Sequence, residues 1–582
     1  MLSGVNLAFA LCKYSRGKMM RKRWLLLVTS ALVITAAGSS LHAQQKTTLP
    51  NGVAAGDVTQ TSAVLWAHST ATGKVTFDVA TDSDFAQTIN TLTADISDAT
   101  IPVKVSVDGL APGKQYYYRV TDAAGNTVQG KFRTPAASGT KTGLRFGVSG
   151  DWRGELAPYS SISNAAGENL DFFVEFGDTI YADYPSPDVP KDQAKTLGDF
   201  RAKHNEVYSE RYGMNTWQDL RESTSVLATI DDHEVANDFA GGAVPATDKR
   251  FAGDKAPLIN ETTLFKNGIQ VFEEYNPIRD ETYGDTGDPR TANKVKLYRY
   301  VTYGDDAAVI LLDERTFRDG EVPPVQDLGS RIQAFAFLAA AYNPQRTMLG
   351  KAQLDDTKAD LLKAQKAGIT WKFVLVPEPI QNLGIVNAGD RYEGYAAERA
   401  DLLKFIVDNQ ISNVVFVTAD IHGTLVNDVT YATGPLAPQI PTGTFEISTG
   451  PVAYDAPFGP TVVDLAASLN LLTKEQVDAY NKMSEADKEK FMATAINAQV
   501  QPLKYSLIGL DDSNIPAKLI KGDYLATTTY GWTLFEIDKD TQMLTITTYG
   551  IPYYTEKELD ADPKGVTSRT PEIVSQFTVQ AK

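Results

Sequence analysis

Cysteine is all but missing from this chain of 582 residues; the one copy is Cys12. That excludes an intrachain disulfide, and it excludes a thiolate metal ligand once the first residues are set aside. Histidine is scarce as well, at five copies. No apolar run approaches the roughly 20 residues needed to cross a bilayer. The clearest candidate, Trp24 to Ala37, has 14. It follows the basic stretch Lys18-Met19-Met20-Arg21-Lys22-Arg23 and precedes the small residues Gly38-Ser39-Ser40-Leu41-His42-Ala43. Basic, apolar, then small is the order of a secretory signal peptide, here residues 1–43. The mature chain is then expected to be periplasmic or secreted, without stable insertion in a membrane.

Positive charge is also in short supply. The prefix holds six Lys and Arg and no acid, which leaves 49 basic against 72 acidic residues and a net charge of −23. Such a balance disfavours nucleic-acid binding. It leaves anionic substrates open, because bound metal ions reverse the field locally. Without thiolates, any metal must be held by oxygen and imidazole.

Residues 44–137 read as a small all-β sandwich. Alternating strand candidates at 63–68, 74–80, 103–107 and 115–120 are separated by turn signals such as Gly125-Asn126. Leu110-Ala111-Pro112-Gly113-Lys114-Gln115-Tyr116 has the pattern of a tyrosine corner, and 134–139 reads as a linker. No chemistry is visible there. From residue 138 to 582 the pattern is α/β, with apolar strands at 144–148, 172–176, 226–230, 308–312, 373–376 and 414–418. Residues 241–295, rich in Gly, Asp and Pro, read as a loop over the site. Residues 464–498 read as a helical insert opened by the capping box at Thr473-Lys474-Glu475-Gln476, and 531–549 as a hairpin.

Each of several strands is followed by polar groups: Ser149-Gly150-Asp151-Trp152-Arg153, Gly177-Asp178-Thr179-Ile180-Tyr181, Asp231-Asp232-His233-Glu234, Asp313-Glu314-Arg315 and Ala419-Asp420-Ile421-His422. Ligands of open α/β sheets bind beyond the carboxyl ends of strands, so these groups point to one site. Two metal ions about 4 Å apart need a carboxylate that reaches both and further ligands for each. Asp151, Asp178, Asp232, Asp420 and His422 supply such a set. The spacing of Asp420 and His422 would put both on one face if the strand continued. Of the five histidines, His233 and His422 fall in these clusters, whereas His68 and His204 lie elsewhere and His42 goes with the prefix.

This order of motifs resembles the calcineurin-like metallophosphoesterases and, more closely, the alkaline phosphatase D (PhoD-like) family. The resemblance also covers Gly52-Val53-Ala54-Ala55-Gly56-Asp57, Ala63-Val64-Leu65-Trp66, Asn237, Gly394-Tyr395 and Glu398-Arg399, in order over residues 50 to 550. It implies a four-layer α/β sandwich preceded by a fibronectin-like β-sandwich. It also implies a phosphate-ester hydrolase in which metal-bound hydroxide attacks phosphorus. By the resemblance Asp178 bridges two metals, while Tyr181 as phenolate and His422 complete the shell of Fe3+. Asp232 and Asp420 hold a second ion, Ca2+, with Mn2+, Mg2+ or Zn2+ as alternatives. Glu378 is a further candidate ligand, and His233 contacts the phosphate or acts as general acid. Arg153 is a candidate to grip a phosphate oxygen, with a plain surface arginine as the alternative. The chain departs from the family at Ser149-Gly150, where many members carry Ser-Cys; Asp151 is expected to replace that thiolate. Ser149 reads as structural. Diester cleavage on lipid or cell-wall polymer, as in a phospholipase D-like enzyme, is a second reading. A surface binding module with structural metals is a third.

Overall fold

The computed structural model describes residues 47–582 apart from 327–329, 386–387, 436 and 469–470. The signal peptide expected at 1–43 therefore lies outside the described residues.

The N-terminal module has seven strands: β1 (Val53–Gly56), β2 (Ser62–Ala67), β3 (Gly73–Ala80), β4 (Thr88–Ile96), β5 (Val103–Asp108), β6 (Gln115–Thr121) and β7 (Thr127–Arg133). β4-β3-β6-β7 form one sheet, and β1-β2-β5 face it across an apolar core that includes Phe77, Val79, Tyr118 and Phe132. The Tyr116 hydroxyl accepts from the Ala111 amide at 2.8 Å, so the expected tyrosine corner is present. The sequence reading missed β4 and β7. Both carry few buried residues, since β4 alternates between exposed and half-buried positions and β7 buries only Gly130 and Phe132.

The second part contains β8 (Leu144–Trp152), β9 (Phe172–Phe176), α1 (Leu197–Val207), α2 (Thr216–Ser223), β10 (Ser225–Thr229), α3 (Thr263–Tyr275), β11 (Arg299–Tyr303) and β12 (Ala307–Leu311). It continues through α4 (Arg331–Ala341), α5 (Lys351–Lys366), β13 (Trp371–Leu375), α6 (Ala396–Asp408), β14 (Val414–Thr418), β15 (Thr424–Tyr431), β16 (Ile440–Ser448) and β17 (Pro451–Ala453). The last elements are α7 (Phe458–Ser468), α8 (Lys474–Asn481), α9 (Glu485–Val500), β18 (Ala517–Lys521), β19 (Leu525–Ala526), β20 (Thr529–Ile537), β21 (Leu544–Pro552) and β22 (Glu572–Val579), with two short helices before β22.

Two sheets stack face to face. One runs β18-β22-β21-β20-β8-β9-β10-β1-β2-β5, and the other β11-β12-β13-β14-β16-β15-β19. Phe146 of β8 stacks between Phe172 and Phe535, each at 4.7 Å, and meets Phe373 of the opposite sheet edge-on at 4.9 Å. That aromatic stack is the centre of the inter-sheet core. Outside the first sheet α1 and α2 bury Phe200, Tyr208, Trp217 and Leu220 with Trp152, Phe173 and Trp532; outside the second, α5 and α6 bury Leu361, Leu402 and Leu403 with Val374 and Phe416. Helix, sheet, sheet, helix is the four-layer sandwich the sequence implied. Strands β8, β9 and β10 run parallel, as do β12, β13, β14 and β16. Their carboxyl ends therefore open on one rim.

The N-terminal module is not strung on by a linker alone. β1 pairs in parallel with β10, Ala55 opposite Ser225, so the two parts share a sheet. Asp57, next after β1, is buried, and its carboxylate accepts from Arg299 Nε at 2.9 Å and from the Arg279 amide at 2.7 Å. The stretch 241–295 is likewise more than a covering loop. Its middle is the helix α3, which packs on α1 and buries Phe265, Ile269 and Phe272. Gly241 and Gly242 lie where a β-carbon would come 2.2 Å from the Thr316 carbonyl and 2.4 Å from that of Phe317, so this turn is clamped on the loop after β12. Between residues 458 and 500 lie the helices α7, α8 and α9, and the capping box at Thr473 and Gln476 is formed.

His204 is the histidine of α1 that the site does not use. It is fully buried between Tyr275 and Tyr208, and neither ring nitrogen has a partner. Burial, reinforced by the Arg221 cation, lowers its pKa to about 3. A folded value below the unfolded 6.5 means that only the unfolded chain takes up the proton in the window between them. Stability is therefore whole above pH 6.5 and falls as pH drops toward 3. His204→Phe is expected to remove about 2 kcal/mol of the stability lost between pH 7 and pH 5, read from urea midpoints at the two pH values. An unchanged pH dependence would refute this account.

Candidate metal centre

The rim is built from short turns that hold carboxylates in strained backbone. Asp151 (φ 59°), Asp178 (φ 49°), Asp420 (φ 62°) and His422 (φ 57°) all have left-handed conformations. Asp and His tolerate this region better than most residues, yet each such residue costs free energy unless its surroundings fix it. The fixing is visible. The Glu234 carboxylate accepts from the amides of Asp178 (3.2 Å), Thr179 (2.6 Å) and Asp231 (2.8 Å), which ties the turn after β9 to the turn after β10. The Trp152 amide donates to the Asp178 carbonyl at 3.1 Å, and that of Ala182 to the His233 carbonyl at 2.9 Å.

Two groups of ligand atoms result, each within 4.8 Å: Asp151, Asp178 and His422, and Asp178, Asp232 and His233. Asp178 belongs to both. In the first group His422 Nε2 lies 3.4 Å from Asp151 Oδ1, while Asp151 Oδ2 and the Tyr181 hydroxyl are buried without partners. Burial and the Asp178 and Asp151 carboxylates push the Tyr181 phenol well above its ordinary range. A phenolate there needs a strong cation beside it. Burial and the neighbouring carboxylates Asp232, Asp231, Glu234 and Asp151 likewise hold Asp178 well above the usual carboxylate range. Crowded carboxylates and an orphaned phenol are the donor set that hard cations satisfy, so the residues fit two metal ions.

Gly150 bears on the absent thiolate. A β-carbon there would lie 3.1 Å from Ala419 Cβ and 3.2 Å from the Phe176 carbonyl, so a larger side chain would have to press its neighbours aside. Ser149 is structural, with its hydroxyl donating to the Gly450 and Gly531 carbonyls at 3.1 and 2.8 Å.

In the second group His233 Nε2 stands 3.9 Å from both Asp178 Oδ2 and Asp232 Oδ1. Its Nδ1 is held at 2.5 Å by Asp183 Oδ1, and Asp183 Oδ2 accepts from the Asn237 amide at 2.8 Å. Burial opposes the imidazolium, but Asp183 and Asp232 outweigh it and push His233 up to about 9. For Asp232 burial is in turn outweighed by His233 and Arg315, which hold its carboxyl below the usual range. The sequence reading missed Asp183, although its place two residues after Tyr181 puts it in the same turn.

Asp420 is in neither of these two groups, and it flanks the Arg315 guanidinium from which Asp232 Oδ2 lies 4.0 Å. β14 ends at Thr418, and the chain then turns through two left-handed residues. The expectation that Asp420 and His422 both lie on one face of a continuing strand therefore does not apply, because the strand has ended before them. His422 points to Asp151, whereas Asp420 Oδ1 lies 3.9 Å from Arg315 Nη2. Glu378 is on that side too. Its Oε1 pairs with Arg315 at 2.6 Å and Arg318 at 3.1 Å, and its Oε2 is unpartnered. Arg315, whose Nε also pairs with Asp231, is thus the cation around which this second set of acids is arranged. The sequence showed Arg315 only as part of a motif. Arg153 is buried rather than a surface arginine. It pairs with Glu155 and lies 3.9 Å over the Tyr184 ring, with Nε unpartnered. Tyr454, which the sequence did not single out, stacks on His422 at 3.7 Å.

The family described as PhoD-like phosphatase matches residues 148–501, and its N-terminal domain matches residues 35–136. The chain belongs to the PhoD-like phosphatase family. It is 27% identical over 416 residues to alkaline phosphatase D of Bacillus subtilis (strain 168), a match that spans 65% of each chain. A solved structure of PhoD covers 92% of this chain and 91% of its own, with a TM-score of 0.65 at 20% identity, and shares the fold. The purple acid phosphatase PPD1 of yellow lupin gives a TM-score of 0.48 at 11% identity over 91% of this chain and 73% of that one.

Proposed function

We propose that this chain is an exported, metal-dependent hydrolase of phosphate esters, acting on monoesters and open to diesters. The observation that carries the reading is the single carboxylate, Asp178, shared by two groups of ligand atoms beside an imidazole that a second carboxylate orients. Asp151, Tyr181, His422 and Asp178 would hold one ion, an iron by the hardness of the phenolate donor, and Asp178 and Asp232 the other, a calcium. Such ions polarise phosphoryl oxygens and activate water.

The remaining work falls to the chain itself. Asp183 fixes the imidazole through Nδ1, so Nε2 faces the space between Asp178 and Asp232, where it can give a proton to the departing oxygen. Arg153, anchored by Glu155 and flattened on Tyr184, offers its unpartnered Nε edge to an anionic oxygen. Asp420 and Glu378 act from the Arg315 side, as further ligands or as the charges that position it. A module with purely structural metals would have no use for an imidazole held by its own carboxylate.

The test is turnover of p-nitrophenyl phosphate and bis(p-nitrophenyl) phosphate before and after chelation, with metal analysis of the same protein. Chelation is expected to lower activity at least about a hundredfold, and added Fe3+ with Ca2+ to restore it. In iron-loaded protein Tyr181→Phe is expected to lose a visible charge-transfer band. Full activity in metal-free protein would remove the reading.

A further inference from the structure

Helix α4, of sequence Arg-Ile-Gln-Ala-Phe-Ala-Phe-Leu-Ala-Ala-Ala, is apolar on nearly every side. A helix of that kind is ordinarily enclosed, by protein or by lipid. Here one face is enclosed: Phe337 and Ala341 pack with Val322, Val325, Ile385 and Ala388. The other faces solvent. Ile332 is 84% and Phe335 69% exposed, and Ala336 and Ala339 are exposed beside them. Positions 332, 335, 336 and 339 lie at i, i+3, i+4 and i+7, one continuous stripe along the helix. Lone exposed apolar residues need no explanation, whereas a contiguous ridge marks a contact surface.

Area and charge select the contact. The ridge is one helix wide and shows on the order of 400 Å2, about half of what each partner contributes to a stable protein interface. It also interrupts the acidity of the chain. From Ser330 to Leu354 there is no Asp or Glu, and Arg331 at the start of the helix is exposed, while Arg346 is turned onto the Tyr395 ring and Lys351 pairs with Asp355. A short apolar ridge in an acid-free stretch, with an exposed arginine at its end, suits shallow insertion at a lipid surface, where the phosphate headgroups meet that cation. At 11 residues α4 is too short to span, and no helix among the described residues is long and apolar enough to cross a membrane.

We propose that α4 docks the protein on phospholipid surfaces through Ile332 and Phe335. The covered face of α4 rests on Ile385 and Ala388, close before Asp390 in the chain, and Asp390 Oδ2 lies 3.9 Å from Arg315 Nη1. The covered face of α4 is therefore linked to the Arg315 side of the centre through Ala388 and Asp390, two residues apart in the chain. The proposal goes beyond the phosphoesterase reading and does not depend on it, since binding is measured apart from turnover.

The mature chain would be sedimented with vesicles of phosphatidylcholine containing one-fifth phosphatidylglycerol. Wild type is expected to bind, and the double variant Ile332→Ser, Phe335→Ser to bind about tenfold or more weakly while hydrolysing p-nitrophenyl phosphate as wild type does. Phe335→Trp is expected to keep binding and to shift its added emission to the blue on vesicles. Wild type that fails to sediment, serine variants that bind equally, or added emission in Phe335→Trp that does not move would each overturn the proposal. A wild-type dimer in light scattering that the double variant abolishes would overturn it in favour of a second copy.

Discussion

Replacing Asp178 by asparagine is expected to lower kcat/KM by about three orders of magnitude or more while leaving the metal-free protein at least as stable as wild type. The two effects share one cause. The carboxylate sits among Asp232, Asp231, Glu234 and Asp151 in a buried site, so its charge is unfavourable until cations arrive. An amide of the same shape removes that repulsion, and its carbonyl can still accept from the His233 amide, as Oδ1 now does at 3.1 Å. On the proposed reading it also removes the charge on which both ions would depend. Turnover, metal content per chain and melting in chelator would be measured together. Full activity in the variant would end the two-metal reading. A lower melting temperature in chelator would mean that Asp178 is structural.

The largest expected loss of stability lies away from the site. Arg221 of α2 and Glu175 of β9 are both fully buried, paired Nε to Oε1 at 2.7 Å and Nη2 to Oε2 at 2.6 Å. Arg221 also donates to Asn276 Oδ1 at 2.9 Å and lies 3.7 Å over the Tyr208 ring. Removing one member leaves the other charged and unpaired in a dry interior. Arg221→Met is therefore expected to cost about 3–5 kcal/mol, whereas Arg221→Met with Glu175→Leu should recover most of it. Urea unfolding followed by far-UV circular dichroism measures both. Equal losses in the single and double variants would show that packing, and not the buried charge, is at stake.

Strand ends were the most legible part of the sequence. Phe172–Phe176 and Val414–Thr418 fall where the apolar runs placed them, because strands buried on both faces read as continuous Val, Phe and Leu. The turn residues after them stood out because acids and imidazoles are costly at such places without a purpose. The geometry inside the turns was not legible. Strand alternation assumed that the strand ran on through Asp420 and His422, but β14 ends at Thr418 and both residues have left-handed backbone. Asp183 and Arg315 were missed for a related reason. Their parts depend on His233, Asp231 and Glu378, which lie 50, 84 and 63 residues away in sequence and come close only through the fold. Residues 241–295 looked like loop because Gly and Pro at both ends of the stretch masked the 13 residues of α3 between them.

The pairing of β1 with β10 has a consequence for how this protein can be dissected. A chain cut at 137 would strip the catalytic sheet of a neighbour and leave β10 with a bare edge of unpaired amides and carbonyls. The same cut would leave Arg299 facing the space where Asp57 now sits. Bare edges recruit strands from other molecules, so such a fragment is primed to aggregate. The small sandwich is then less an accessory than a permanent edge guard, and the catalytic part is expected to stay soluble on folding only in its company.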